Sequence, residues 1–123
     1  MFANKTNIIS INFNNINTSK TTSMRWMFAG CTKIPNLDLS QFNTANVTNM
    51  YAMFAASNTL TTINISNFNT SNVTNMERMF YSCSKLASLN VSNFDTSKVT
   101  TMVAMFGSCS SLTTLDVSHF NTS

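Results

Sequence analysis

Charge is scarce in this chain. Only 9% of its 123 residues are charged, and histidine occurs once. The net charge of +3 comes from scattered side chains. Lys33 with Lys85, and Lys20 with Lys98, are too dilute to form the basic stripe that nucleic acid requires. No apolar run approaches the roughly 18 residues of a membrane-spanning helix, and no basic-then-apolar leader precedes the first residues of the repeat. No CxxC or Cys/His spacing suggests a metal, and no cofactor motif is present. What is there is 43% hydrophobic and 11% aromatic, ample for a folded core. With so few charges, the polar surface must consist of Asn, Ser and Thr.

The apolar residues follow one rhythm of 26 residues. Met-Phe recurs at Met1-Phe2, Met27-Phe28, Met53-Phe54, Met79-Phe80 and Met105-Phe106, and Met24, Met50, Met76 and Met102 each stand three residues ahead of the next pair. Phe42, Phe68, Phe94 and Phe120 form a second aromatic column, with Ile16 in its first slot. A unit this short cannot bury its own apolar face and must stack on identical neighbours. The units run 1–26, 27–52, 53–78, 79–104 and a partial 105–123, one repeat domain that we expect to be part of a longer protein.

Within the unit from Met53 to Arg78, Leu60, Ile63 and Ile65 are spaced as LxxLxL, and around Ile63 the period is that of a short strand, with Ile63 and Ile65 in and Thr62, Asn64 and Ser66 out. The run Asn69-Thr70-Ser71-Asn72 is turn-forming and helix-capping. Val73, Met76, Met79 and Phe80 follow at i, i+3, i+6 and i+7, a spacing that predicts a short helix. The expected fold is therefore an α/β solenoid with one short parallel strand and one short helix per coil. Methionine on the inner helix face fills the gap between layers.

Cys31, Cys83 and Cys109 share a column with Lys5 and Ser57. Small buried thiols packing beside Phe are expected in preference to a Cys83–Cys109 bridge, because side chains stacked in parallel do not converge as a disulfide needs. Asn-x-Ser/Thr triplets begin at Asn4, Asn17, Asn46, Asn64, Asn69, Asn72, Asn90 and Asn121. Glycosylating all of them would encrust a stacked body, which favours a bacterial source.

The pattern LxxLxL…F followed by VTxMxxMFxxC, clearest as MFYSCSKLASLNVSNFDTSKVTTM over residues 79–102, resembles the leucine-rich repeats of BspA-like bacterial surface proteins, in the 26-residue variety of mycoplasma-type and listeria-type surface lipoproteins. The resemblance covers essentially the whole chain. It implies a leucine-rich-repeat-like coil, a location at the cell surface or outside the cell, and an adhesion or interaction role without catalytic residues. The lipid-attachment cysteine or wall anchor of such proteins is not in this sequence, and the first unit departs from the pattern at Lys5, Ile16 and Thr21.

No enzyme is expected. His119 has only Asp116 and Cys109 near it in sequence, and each of these merely fills its column. The outward strand positions form ladders instead: Ser10, Asn36, Thr62, Ser88, Thr114; then Asn12, Asp38, Asn64, Asn90, Asp116; then Asn14, Ser40, Ser66, Ser92, Ser118. Short polar groups repeated at about 4.8 Å make a platform for a protein or glycan partner. Its centre is Thr62, Asn64 and Ser66, flanked by Asn36, Asp38, Ser88 and Asn90. Arg25, Trp26, Tyr51 and Arg78 vary between units and offer a second location for specificity. The alternative is a structural surface layer or an ice- and water-ordering array, against which the mixed occupancy of each ladder argues. Uncapped coil ends predict end-to-end self-association.

Overall fold

The computed structural model describes Met1 to Ser123. Its regular strands are β1 (Asn36–Asp38) and β2 (Thr62–Asn64), paired in parallel with Asn36 opposite Thr62, Leu37 opposite Ile63 and Asp38 opposite Asn64. A second line of parallel pairing, one residue wide, joins Ser23, Asn49, Asn75 and Thr101. Both lines advance by one sequence repeat, so successive units stack in register.

No segment is helical. The expected α/β solenoid, with a helix in every coil, is corrected to a coil of turns with an open two-stranded parallel sheet. Where the helix was expected, the chain forms a ribbon of consecutive turns. The N–H groups of Met79, Tyr81 and Cys83 donate back to the carbonyls of Met76, Arg78 and Phe80, three residues earlier, while those of Met76, Arg78, Phe80 and Ser82 donate forward to Thr101, Val103, Met105 and Gly107 in the next unit. A helix over Val73 to Phe80 would turn the N–H groups of Arg78 and Phe80 back into the unit, and one this short is only marginally stable because nucleation fixes several residues for a single bond. Alternating the donors gives each unit both local turns and bonds to its neighbour.

That alternation needs left-handed backbone at two places per unit. Trp26, Ala52, Arg78 and Ala104 have φ of 50–58°, and Asn4, Ala56, Ser82 and Ser108 have φ of 56–59°, with Gly30 at 67° in the same column. Side chains at such positions cost about 1–2 kcal/mol each. The ladder between units supplies the compensation.

The outer units have inward-facing residues at the expected strand positions but lack strand pairing. The equivalent Ser88-Leu89-Asn90 forms no such pairing although its composition is close to that of β1, Asn36-Leu37-Asp38, so residue preference does not account for the difference. A side-chain-closed turn also follows each of these three-residue segments, as at Asn64 and Asn90, and keeps them short.

The columns meet in one core that runs from Phe13 to Met105. Phe2, Phe28, Phe54, Phe80 and Phe106 form a continuous stack, with ring centroids 5.2–5.8 Å apart and planes within 13° of parallel. Met50, Met53, Met76 and Met79 are fully buried around it. The second aromatic column is buried at Phe42, Phe68 and Phe94. All three cysteines are free thiols. Cys31, Cys83 and Cys109 donate to the carbonyls of Phe2, Phe54 and Phe80 in the preceding unit, and Ser57 does the same to Phe28 at 2.7 Å. The column therefore selects a small donor, which explains why serine substitutes for cysteine there.

Candidate interaction surface

A ligand site has to lie on the outside of this stack. The most apolar pocket, lined by Phe28, Ile34, Leu37, Phe54 and Leu60 among others, encloses about 10 Å³, little more than one water occupies.

On the strand side, all seven expected interaction residues are exposed. Asn36, Asp38, Thr62 and Asn64 line an open depression of about 400 Å³, and Asn64, Ser66 and Asn90 line another of about 240 Å³ beside it. Ser88 lines neither. Ile63 and Asn64 line both depressions.

These side chains also hold their own backbone. Asp38 Oδ1 accepts the N–H of Ser40 at 3.0 Å, Asn64 Oδ1 accepts the N–H and the hydroxyl of Ser66 at 3.2 and 2.8 Å, and Asn90 Oδ1 accepts the N–H of Ser92 at 2.9 Å. Thr62 donates to Asn36 Oδ1 across the sheet at 2.6 Å. Each side-chain oxygen named here in the middle ladder thus closes a turn, and the Asn64 side chain also hydrogen-bonds Asp38 in the preceding unit. The same bonding lowers the carboxylate pKa values. The backbone N–H and then the hydroxyl of Ser40 pull Asp38 below 3.8, and the hydroxyl and then the N–H of Ser118 do so at Asp116. The face stays ionised at both aspartates through mildly acidic pH.

His119 fills the column of Asn67 and Asn93 and performs their task. Asn67 donates to Ser40 O and Asn93 to Phe68 O in the preceding unit, and His119 Nε2 lies 3.0 Å from Val91 O.

A threonine ladder escaped the sequence reading. Thr18, Thr44 and Thr70 are buried, and each hydroxyl both donates to the carbonyl and accepts the N–H of one residue in the next unit, namely Asn43, Asn69 and Asp95, at 2.8–3.0 Å. Thr96 accepts the N–H of Asn121 in the same way. The signal was present, because Thr occupies this slot in all five units, Thr122 included, whereas a position needed only for turning tolerates Asn or Ser.

The opposite side, made by the turn ribbon, gathers the residues that differ between units. Trp26 meets Tyr51 edge-on at 5.0 Å, Arg25 lies over Tyr51 at 5.5 Å, and Arg78 lies over Tyr81 at 5.9 Å.

A chain of turn-built units, stacked in 26-residue register and bare of any cluster of metal-binding side chains, belongs to the repeat proteins. Residues 1–114 match the family described as "Mycoplasma protein of unknown function, DUF285", and the chain belongs to that family. This agrees with a mycoplasma-type repeat in coarse terms. No curated protein and no solved structure matches the chain.

Proposed function

We propose that the chain is a non-catalytic interaction module, displayed at the cell surface or secreted, whose strand side binds a host or matrix protein or a glycan. The supporting observation is the register of that side. Exposed Asn, Thr and Ser side chains repeat from unit to unit and line two adjoining depressions centred on Asn64. Their backbone is fixed by the side-chain-closed turns, so little conformational freedom is lost when a partner docks. The face lacks aromatic or arginine anchors, and its affinity comes from repeating weak contacts over several units.

The test is an array of purified matrix proteins and glycans probed with the wild-type chain and with the double variant Asn36→Lys, Ser88→Lys. These residues flank the centre and close no turn, so the fold is expected to be preserved while bulk and charge enter the surface. Specific binding to an arrayed partner should fall at least about tenfold, the equivalent of 1.4 kcal/mol. Unchanged binding by the folded variant removes the strand side from consideration.

A further inference from the structure

The ribbon side carries a second surface, of a different chemistry from the strand side. The strand side is built mainly from Asn, Ser and Thr, yet here one tryptophan, two tyrosines and two arginines occur between residues 25 and 81, across four successive units. Trp26 and Tyr81 are 44% and 38% exposed, and Arg25 and Arg78 are exposed as well. Packing does not require them. The equivalents of Trp26 are Ala52, Arg78 and Ala104, and those of Tyr81 are Ala29, Ala55 and Gly107, in a chain whose buried columns barely vary.

We propose that this ridge docks an acidic segment of a partner protein. Residue type is the first reason, since Trp, Tyr and Arg supply most of the energy in protein interfaces. Charge is the second. The only ion pair in the molecule joins Arg78 to Glu77 at 3.9 Å, and Arg25 has no acidic partner. Preorganisation is the third. Trp26 is fixed by its N–H bond to Tyr51 O and by ring contact with Tyr51, while the Tyr81 ring lies so close over Gly107 that a Cβ there would approach it to 2.9 Å. The geometry selects a polypeptide over a sugar. Sugars stack on open aromatic faces, but Tyr51 is covered by Arg25 and Trp26, and Tyr81 lies between Arg78 and Gly107. The exposed guanidinium groups of Arg25 and Arg78 suit carboxylates, beside the half-exposed Trp26 ring.

Trp26 is the sole tryptophan, so its fluorescence reports this ridge directly. Poly-L-glutamate, the anionic polysaccharide polygalacturonate and neutral dextran are titrated separately into the intact chain. Poly-L-glutamate should change Trp26 emission saturably, more weakly at high salt, and the double variant Arg25→Gln, Arg78→Gln should lose about tenfold in affinity while melting like wild type. The Asn36→Lys, Ser88→Lys variant should respond like wild type, which separates this surface from the strand side. No saturable response to poly-L-glutamate, or a response that survives the loss of both arginines, overturns the proposal. A response to polygalacturonate alone replaces the acidic peptide with an acidic glycan and overturns it equally.

Discussion

Replacing Thr70 by valine should destabilise the stack far more than its near-identical volume suggests. Thr70 is 1% exposed, and its hydroxyl donates to Asp95 O at 2.9 Å and accepts the Asp95 N–H at 2.8 Å. Valine fills the same space but leaves one donor and one acceptor of the next unit without a partner. Each buried orphan costs about 1–3 kcal/mol. Because the Asp95 side chain is exposed, water recovers part of this, and the expected loss is about 2–4 kcal/mol. Thr70→Ser keeps both bonds and removes one methyl, which should cost about 1 kcal/mol. Thr62→Val, at an exposed position, should change stability by no more than about 0.5 kcal/mol. Urea unfolding followed by circular dichroism gives the three values. If Thr70→Val is as stable as Thr70→Ser, the bonds between units contribute nothing net and the ladder is incidental.

Phe68→Ala, at a position 3% exposed, should cost about 3–5 kcal/mol, and the same change at half-buried Phe120 much less; equal losses in denaturant melts would contradict the stack. Burial, and then the neighbouring Cys109, push the Cys83 thiol up from 9.0 to about 12. Its contribution to stability is complete below pH 9.0 and is lost as the pH rises toward 12, because the unfolded thiol ionises first. Cys83→Ser, which can donate to Phe54 O as Ser57 does to Phe28 O, should flatten that part of the stability profile between pH 8 and 11, and an unchanged slope would refute the assignment. Ala56→Gly relieves an exposed residue at φ 58°, worth about 1–2 kcal/mol, against about 0.4–1 kcal/mol of extra chain entropy; a thermal melt should show a slight gain, and a clear loss would argue against left-handed backbone there.

The inward columns were legible because burial repeats with the sequence. Phe28, Phe54 and Phe80 sit in one slot and meet face to face. The ribbon was not legible, because Val73, Met76, Met79 and Phe80 have a spacing that serves a helix and a row of three-residue turns equally well. What decides between them is the forward bond from Arg78 to Val103, a contact between units that no window of one unit contains. Left-handed φ was partly hidden too: Gly30 marks the column of Ala56 and Ser82, but the column of Ala52 and Arg78 contains no glycine. On the strand side, sequence showed that Asn64 and Asp38 point outward. It did not show that their carbonyl oxygens were already engaged by Ser66 and Ser40.

Most of the bonds that join one ribbon to the next point the same way, from N–H in the earlier unit to carbonyl in the later one, from Phe2 with Met27 through Ser82 with Gly107; the N–H groups of Thr48, Thr74 and Thr100 run the other way. In an ordinary sheet successive peptide dipoles alternate and largely cancel. Here the forward bonds outnumber the reverse ones, so their dipoles add in part, in the way that they do along a helix. Within each unit the forward donors, such as Met76, Arg78, Phe80 and Ser82, present one side to the unit that follows. Each added unit extends this field without adding an ionised side chain. In a protein with so few charges, the backbone itself becomes the means by which the two sides of a unit are distinguished.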